Sequence, residues 1–216
     1  MKPSLSSTVI SITPVAAAMA TGTVSSAAAE TETLLKNIRS KDDKVRCEAW
    51  QNAGAVGAPG VEPLAALLVD ADIEVARAAK RAMEQIVHRA GRPGAPAEAS
   101  AVEMELIKLL KNESPVVRRA AVWMLSEIGS DESVDPISAL LGDAQVREDA
   151  RCALQRIPGD KSVSALRSAM KTAPEDFKYA IAESLRKRGQ NVSDYPTKKL
   201  APTLPTQVKA APSSNK

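Results

Sequence analysis

Aromatic side chains are scarce in this chain, with two tryptophans, two tyrosines and one phenylalanine in 216 residues. A core of ordinary size must then come from aliphatic residues and alanine, a composition suited to helices packed at short range. Histidine occurs once, as His88, so no second imidazole can share a metal, and no convergent set of acids, bases or ligands of the kind catalysis needs stands out. The sequence therefore predicts no catalytic residue, no metal site and no cofactor. His88 itself, beside Arg89 near a helix end, reads as a capping or solvent-exposed residue.

Cysteine is almost as rare, at Cys47 and Cys152, which excludes a disulfide framework and predicts two free thiols. No apolar run is long enough to span a membrane. One-sided charge is missing too. Residues 30–189 hold 24 basic and 25 acidic side chains, and the formal charge of +3 comes from lysines near the two ends. That balance removes the usual electrostatic argument for nucleic-acid binding by the folded part.

What the chain does have is one helical phrase written five times. Its anchors are Val45, Val75, Val117, Val146 and Phe177, spaced 30, 42, 29 and 31 residues apart. A period of about 30 with one insertion of about 12 is the mark of a stacked-repeat solenoid. After each anchor, alanine follows three or four places on and larger apolar residues come near offsets 8 and 11, as in Ala120, Ala121, Leu125 and Ile128. That spacing keeps one helical face apolar. Upstream lies a second recurring phrase, Val61 to Leu68 and Val134 to Leu141, with Pro63 and Pro136 suited to a first helical turn. Each unit is thus predicted to be a helical hairpin.

Start and stop signals agree with this. Asp42, Asp72, Ser114 and Asp143 stand three residues before their anchors as candidate caps, and only the fifth copy departs, with Pro174. Gly57, Gly129, Gly159 and Gly189 fall where a left-handed terminating residue is wanted. The insertion, mostly Arg92 to Ser100 with Pro93, Gly94 and Pro96, reads as a flexible loop over about 92–100.

The Asp-x-x-Val-Arg turn and the Ala-Ala-x-x-x-Leu-x-x-Ile face, best matched at 42–56, 114–128 and 143–157, resemble the short HEAT-like repeats first associated with phycobilisome lyases. The resemblance covers residues 30 to 189. It implies an all-α fold, a right-handed α-solenoid of about five HEAT-like hairpins, and says little of activity. A related repeat family, the deoxyhypusine hydroxylases, holds di-iron with His-Glu pairs, and no such pair occurs here.

Outside the repeats, residues 1–29 read either as a signal peptide ending in small-residue triplets or as a disordered leader, so export and a cytoplasmic location both stay open. Residues 190–216, rich in Pro, Ser, Thr, Ala and Lys, read as a disordered basic tail.

Two sets of candidate residues follow. Positions 2, 5, 6, 9 and 10 after each anchor should line one side of the stack. Among these are Trp50, Arg77, Lys80, Arg81, Arg119, Val122, Trp123, Arg151 and Tyr179. Tryptophan, tyrosine and arginine dominate binding hot spots, so this stripe is the expected grip on a protein partner. Alternatively, Trp50 and Trp123 could wedge between repeats as core. The basic residues after the anchors, Arg46, Arg118 and Arg147, should pair with the capping acids as a structural ladder, which Ala76 interrupts. The function expected is a non-enzymatic scaffold or adaptor for a polypeptide, with a lyase acting on a chromophore or modified protein as the alternative. A polyanion or nucleic-acid binder comes third.

Overall fold

A computed structural model describes residues 15–197, with side chains from residue 26. The described residues form helices and turns without strands. Ten α-helices run in order: α1 Val15–Ile38, α2 Asp43–Asn52, α3 Val61–Ala66, α4 Ile73–Ala90, α5 Pro96–Leu109, α6 Pro115–Ile128, α7 Asp131–Ser138, α8 Arg147–Arg156, α9 Asp160–Met170 and α10 Glu175–Lys187. Short 3-10 turns extend several of them.

The helices form two rows. One is α1, α3, α5, α7 and α9, and the other α2, α4, α6, α8 and α10; each helix packs on its hairpin partner and on its neighbours in the row. Contacts confined to adjacent units define a solenoid of five hairpins. The core is aliphatic, as the composition requires. Ala79, Ala82, Ala121, Ala150 and Ala182 are fully buried along the second row, where small side chains let neighbouring helices approach. Phe177 is the one fully buried aromatic among the described residues. Its counterparts Val75, Val117 and Val146 are buried as well, whereas Val45, in the first hairpin of the described residues, is only partly so.

Local signals explain where the helices start. The Asp42 carboxylate accepts from the backbone N–H of Lys44 and Val45, and that of Asp72 from Glu74. Ser114 departs from expectation, since its side chain makes no capping bond. Pro115 occupies the first helical position, and the Asn112 side chain accepts the N–H of Ser114 at 2.9 Å, as the Ser40 and Asp70 side chains accept those of Asp42 and Asp72.

The stops hold a second correction. Gly57, Gly159 and Gly189 have positive φ, but Gly129 is extended at φ −63° and ψ 140°. Its requirement is space. A Cβ there would lie 2.4 Å from the Leu125 carbonyl oxygen and 3.1 Å from Ile157 Cδ1.

Of the loop expected over about 92–100, residues 92–95 are turn and irregular backbone, and residues 96–100 are already helical. The insertion lengthens α4 to 18 residues and begins α5 at Pro96, leaving only residues 91–95 between them. Proline suits the first turn, and Glu98 in that turn receives a two-pronged bond from Arg92 at 2.5 and 2.7 Å. This pairing lowers the Glu98 pKa from its ordinary value and raises that of Arg92.

At the ends, α1 runs through residue 29 without a break. The leader expected over 1–29 lies largely outside the residues whose side chains are described. Residues 190–197 are irregular and lie against the last hairpin, while 198–216 fall outside the described residues.

Candidate functional site

The expected stripe splits into parts with different surroundings. At one end, Trp50 is half-buried and the Arg81 guanidinium lies over its ring at 5.3 Å from the centroid. In the middle, Trp123 is 49% exposed, with Arg156 over its ring at 5.1 Å. Val122, expected to face outward, is fully buried. Its helix α6 is flanked by α4, α5 and α8, so the buried arc is wider than a single face.

Arg151 turns inward. Its Nη1 donates to Ser184 Oγ at 2.5 Å and its Nε to Glu148 at 2.8 Å, bracing α8 against α10. Tyr179 meets Tyr195 of the irregular C-terminal segment edge to face at 5.3 Å, and Arg186 holds that segment by donating to the Tyr195 carbonyl at 2.6 Å. The fifth hairpin is therefore covered where the stripe would end.

The residues after the anchors lie at the turns. Arg118 donates to Asp143 of the next hairpin at 2.8 Å and to the Asn112 and Glu113 carbonyls of its own. Two donors, the Gln145 N–H first and Arg118 second, hold the Asp143 carboxyl below its ordinary pKa. Arg147 reaches Asp176 at 3.5 Å. Arg46 stays within its own hairpin, bonding Asp43 and the Ser40 carbonyl.

At Ala76 no such side chain bridges the junction, and a cleft of about 490 Å³ opens between α4 and α6. Leu68, Ile73, Ala76, Val116, Ala120 and Trp123 give it an apolar lining, with Arg77, Lys80, Arg119 and Asp149 completing the wall. Ile73 and Val116 are 59% and 53% exposed. Both precede their anchors, at Val75 and Val117, and so fall outside the offsets that define the stripe. A signal was present, since most other copies carry polar or charged residues one and two places before the anchor, such as Asp43, Lys44, Glu175 and Asp176.

Charge along this face is largely paired. Arg77 meets Glu74 at 2.7 Å, Arg119 meets Asp149 at 3.0 Å, Arg156 meets Glu127 at 3.6 Å, and Lys80 stands 4.0 Å from Glu84. Exposed His88 lies 3.4 Å from Glu127. Among the described residues no group of three or more His, Cys, Asp or Glu is placed to hold a metal ion, both cysteines are free, and no helix is long and apolar enough to cross a membrane. The arrangement is an apolar-lined cleft rimmed by cations that already hold carboxylate partners.

A larger opening, about 670 Å³, lies between α1 and α2 around Leu34, Val45, Ala49 and Val56. It lies at the first hairpin among the described residues, none of which precede α1 to pack on α2.

The fold thus defines the class as a helical-repeat solenoid. Residues 61–155 match the family described as HEAT repeats, and over that stretch the HEAT-like reading of the sequence holds. Among solved structures, an engineered protein from a structural genomics consortium is 24% identical with TM-score 0.40, covering 73% of this chain and 78% of its own. A designed armadillo repeat protein, solved in complex with the peptide (KR)4, is 20% identical with TM-score 0.40, covering 77% of this chain and 84% of its own. No curated protein matches the chain. None of these findings supports the lyase alternative.

Proposed function

We propose that this protein is an interaction scaffold that holds a polypeptide partner along the second-row helices, with the cleft between α4 and α6 as the principal contact. The observation that carries this reading is the meeting of Ile73, Val116 and Trp123 in one cleft, where three of the five most exposed large apolar side chains among the described residues come together. A cluster of that kind, rimmed by charge, marks an interaction site rather than scattered surface residues. A rigid helical stack presents such a surface at little ordering cost.

Capture of polypeptide partners from the source extract tests the reading, with wild-type bait beside a Trp123→Ala, Ile73→Ser variant. Loss of a stoichiometric partner at unchanged melting temperature supports a scaffold using this cleft. Equal recovery by both baits, or recovery of a small molecule alone, would count against it.

A further inference from the structure

We infer that the cleft between α4 and α6 accepts a polypeptide segment whose apolar side chains are flanked by carboxylates. This rests on the scaffold reading and names the chemistry of the partner.

The first argument is why the cleft exists. At the next junction, the position equivalent to Ala76 is Arg118, which spans to Asp143 and Gln145 of the following hairpin at 2.8 and 3.3 Å. A methyl group cannot span that gap. Ala76 therefore leaves bare the floor that a ladder arginine would cover, and the volume of about 490 Å³ falls within the range of about 300–1,000 Å³ usual for ligand sites.

The second argument is the charge of the rim. Arg77, Lys80 and Arg119 line the opening with Asp149 as the one carboxylate among the lining residues. Their side chains are 62%, 54% and 58% exposed. Ion pairs so open to water are worth roughly 0–1 kcal/mol each. Such cations exchange an internal partner for an incoming carboxylate at little cost. Glu74, Glu84 and Asp149 are the partners those cations would release, whereas a segment flanked by lysines would bring like charges against Arg77, Lys80 and Arg119, the three cations among the lining residues. The apolar floor separates this site from one built for nucleic acid, where phosphate contacts supply most of the affinity.

Fluorescence anisotropy on the full chain tests the proposal with three labelled synthetic peptides. One has a leucine-rich centre with glutamates at both ends, one has lysines in place of the glutamates, and one keeps the glutamates around a serine centre. The glutamate-flanked leucine peptide is expected to bind at least about tenfold tighter than either of the others. Arg119→Glu should erase or reverse the preference between the two leucine peptides. Ala76→Arg, which places a ladder side chain across the floor, should abolish binding of the first peptide while the melting temperature stays put.

Equal binding of the glutamate and lysine peptides would overturn the proposal, as would an Ala76→Arg variant that binds normally. Displacement of the peptide by a single-stranded oligonucleotide that binds more tightly would overturn it too. If Ala76→Arg loses no captured partner, the cleft assignment falls while the scaffold reading stands. If wild-type protein captures no polypeptide and binds none of the peptides, both fall together.

Discussion

The α6–α8 junction and the α4–α6 junction are built from the same repeat phrase and differ in outcome. At the first, Arg118 crosses to Asp143, Arg119 reaches Asp149, and Gly129 lets Ile157 approach closely. At the second, Ala76 replaces the crossing arginine, and Ile73 and Val116 stand exposed at the helix starts. A few positions near the turns separate a junction with a cleft of about 180 Å³ from one with a cleft of about 490 Å³. Repeat proteins keep their core positions for stacking, so the turns are where one unit can be made to differ without loosening its neighbours.

The comparison can be broken most severely at the tighter α6–α8 junction. Leu154→Ala removes a fully buried side chain and should cost about 2–5 kcal/mol in denaturant unfolding. Next comes Gly129→Ala, whose new Cβ would lie 2.4 Å from the Leu125 carbonyl oxygen. It should cost about 1–3 kcal/mol, as overpacking does. If Gly129→Ala proves neutral, close approach is not what that glycine provides.

Arg118→Ala takes a mostly buried guanidinium away from two backbone carbonyls and one carboxylate. It should lower the melting temperature by less than Gly129→Ala, and leave peptide binding at the open junction untouched. Trp123→Ala, at 49% exposure, should change stability by less than about 1 kcal/mol while weakening partner capture. A large stability loss would mean that this indole serves packing at the α6–α8 junction rather than the open cleft.

The smallest effect concerns pH. The folded Asp143 pKa is lowered, so the stabilisation from its charge is present above the ordinary carboxylate value of about 3.9 and is lost as pH falls through the lowered folded value. Asp143→Asn should therefore melt below wild type at neutral pH, with the two curves converging in acid. Curves that stay parallel throughout would show that the carboxylate charge contributes nothing at this turn.

The fold was legible because caps, apolar face and terminating glycines recur at fixed offsets, and each repetition checks the others. Two elements escaped that logic. In the insertion Pro93, Gly94 and Pro96 all read as breakers; residues 92–95 do form the connection, but Pro96 stands in a first helical turn and begins a helix. Gly129 shares its position with glycines of positive φ, and spacing alone does not separate a left-handed turn from a close approach. The cleft was half legible. Trp123, Arg77, Lys80 and Arg119 could be placed by offset, whereas Ile73 and Val116 precede their anchors and lay outside the offsets considered. Arg151 and Tyr179 could not be resolved from spacing at all, because Ser184 and Tyr195 come from other parts of the chain.

On the far side of the stack, the buried carboxylate of Glu103 in α5 accepts from the Ser130 N–H at 2.7 Å, from its hydroxyl at 2.9 Å and from the Ser133 hydroxyl at 2.5 Å. The start of α7 is thus completed by an acid from the previous hairpin. Anyone recombining these hairpins as cassettes meets a constraint there. A cut between 129 and 130 separates Glu103 from its serines, so a foreign hairpin packed there would bury its carboxylate without those donors, and α7 would start without its acceptor; the third and fourth hairpins are best moved as one piece.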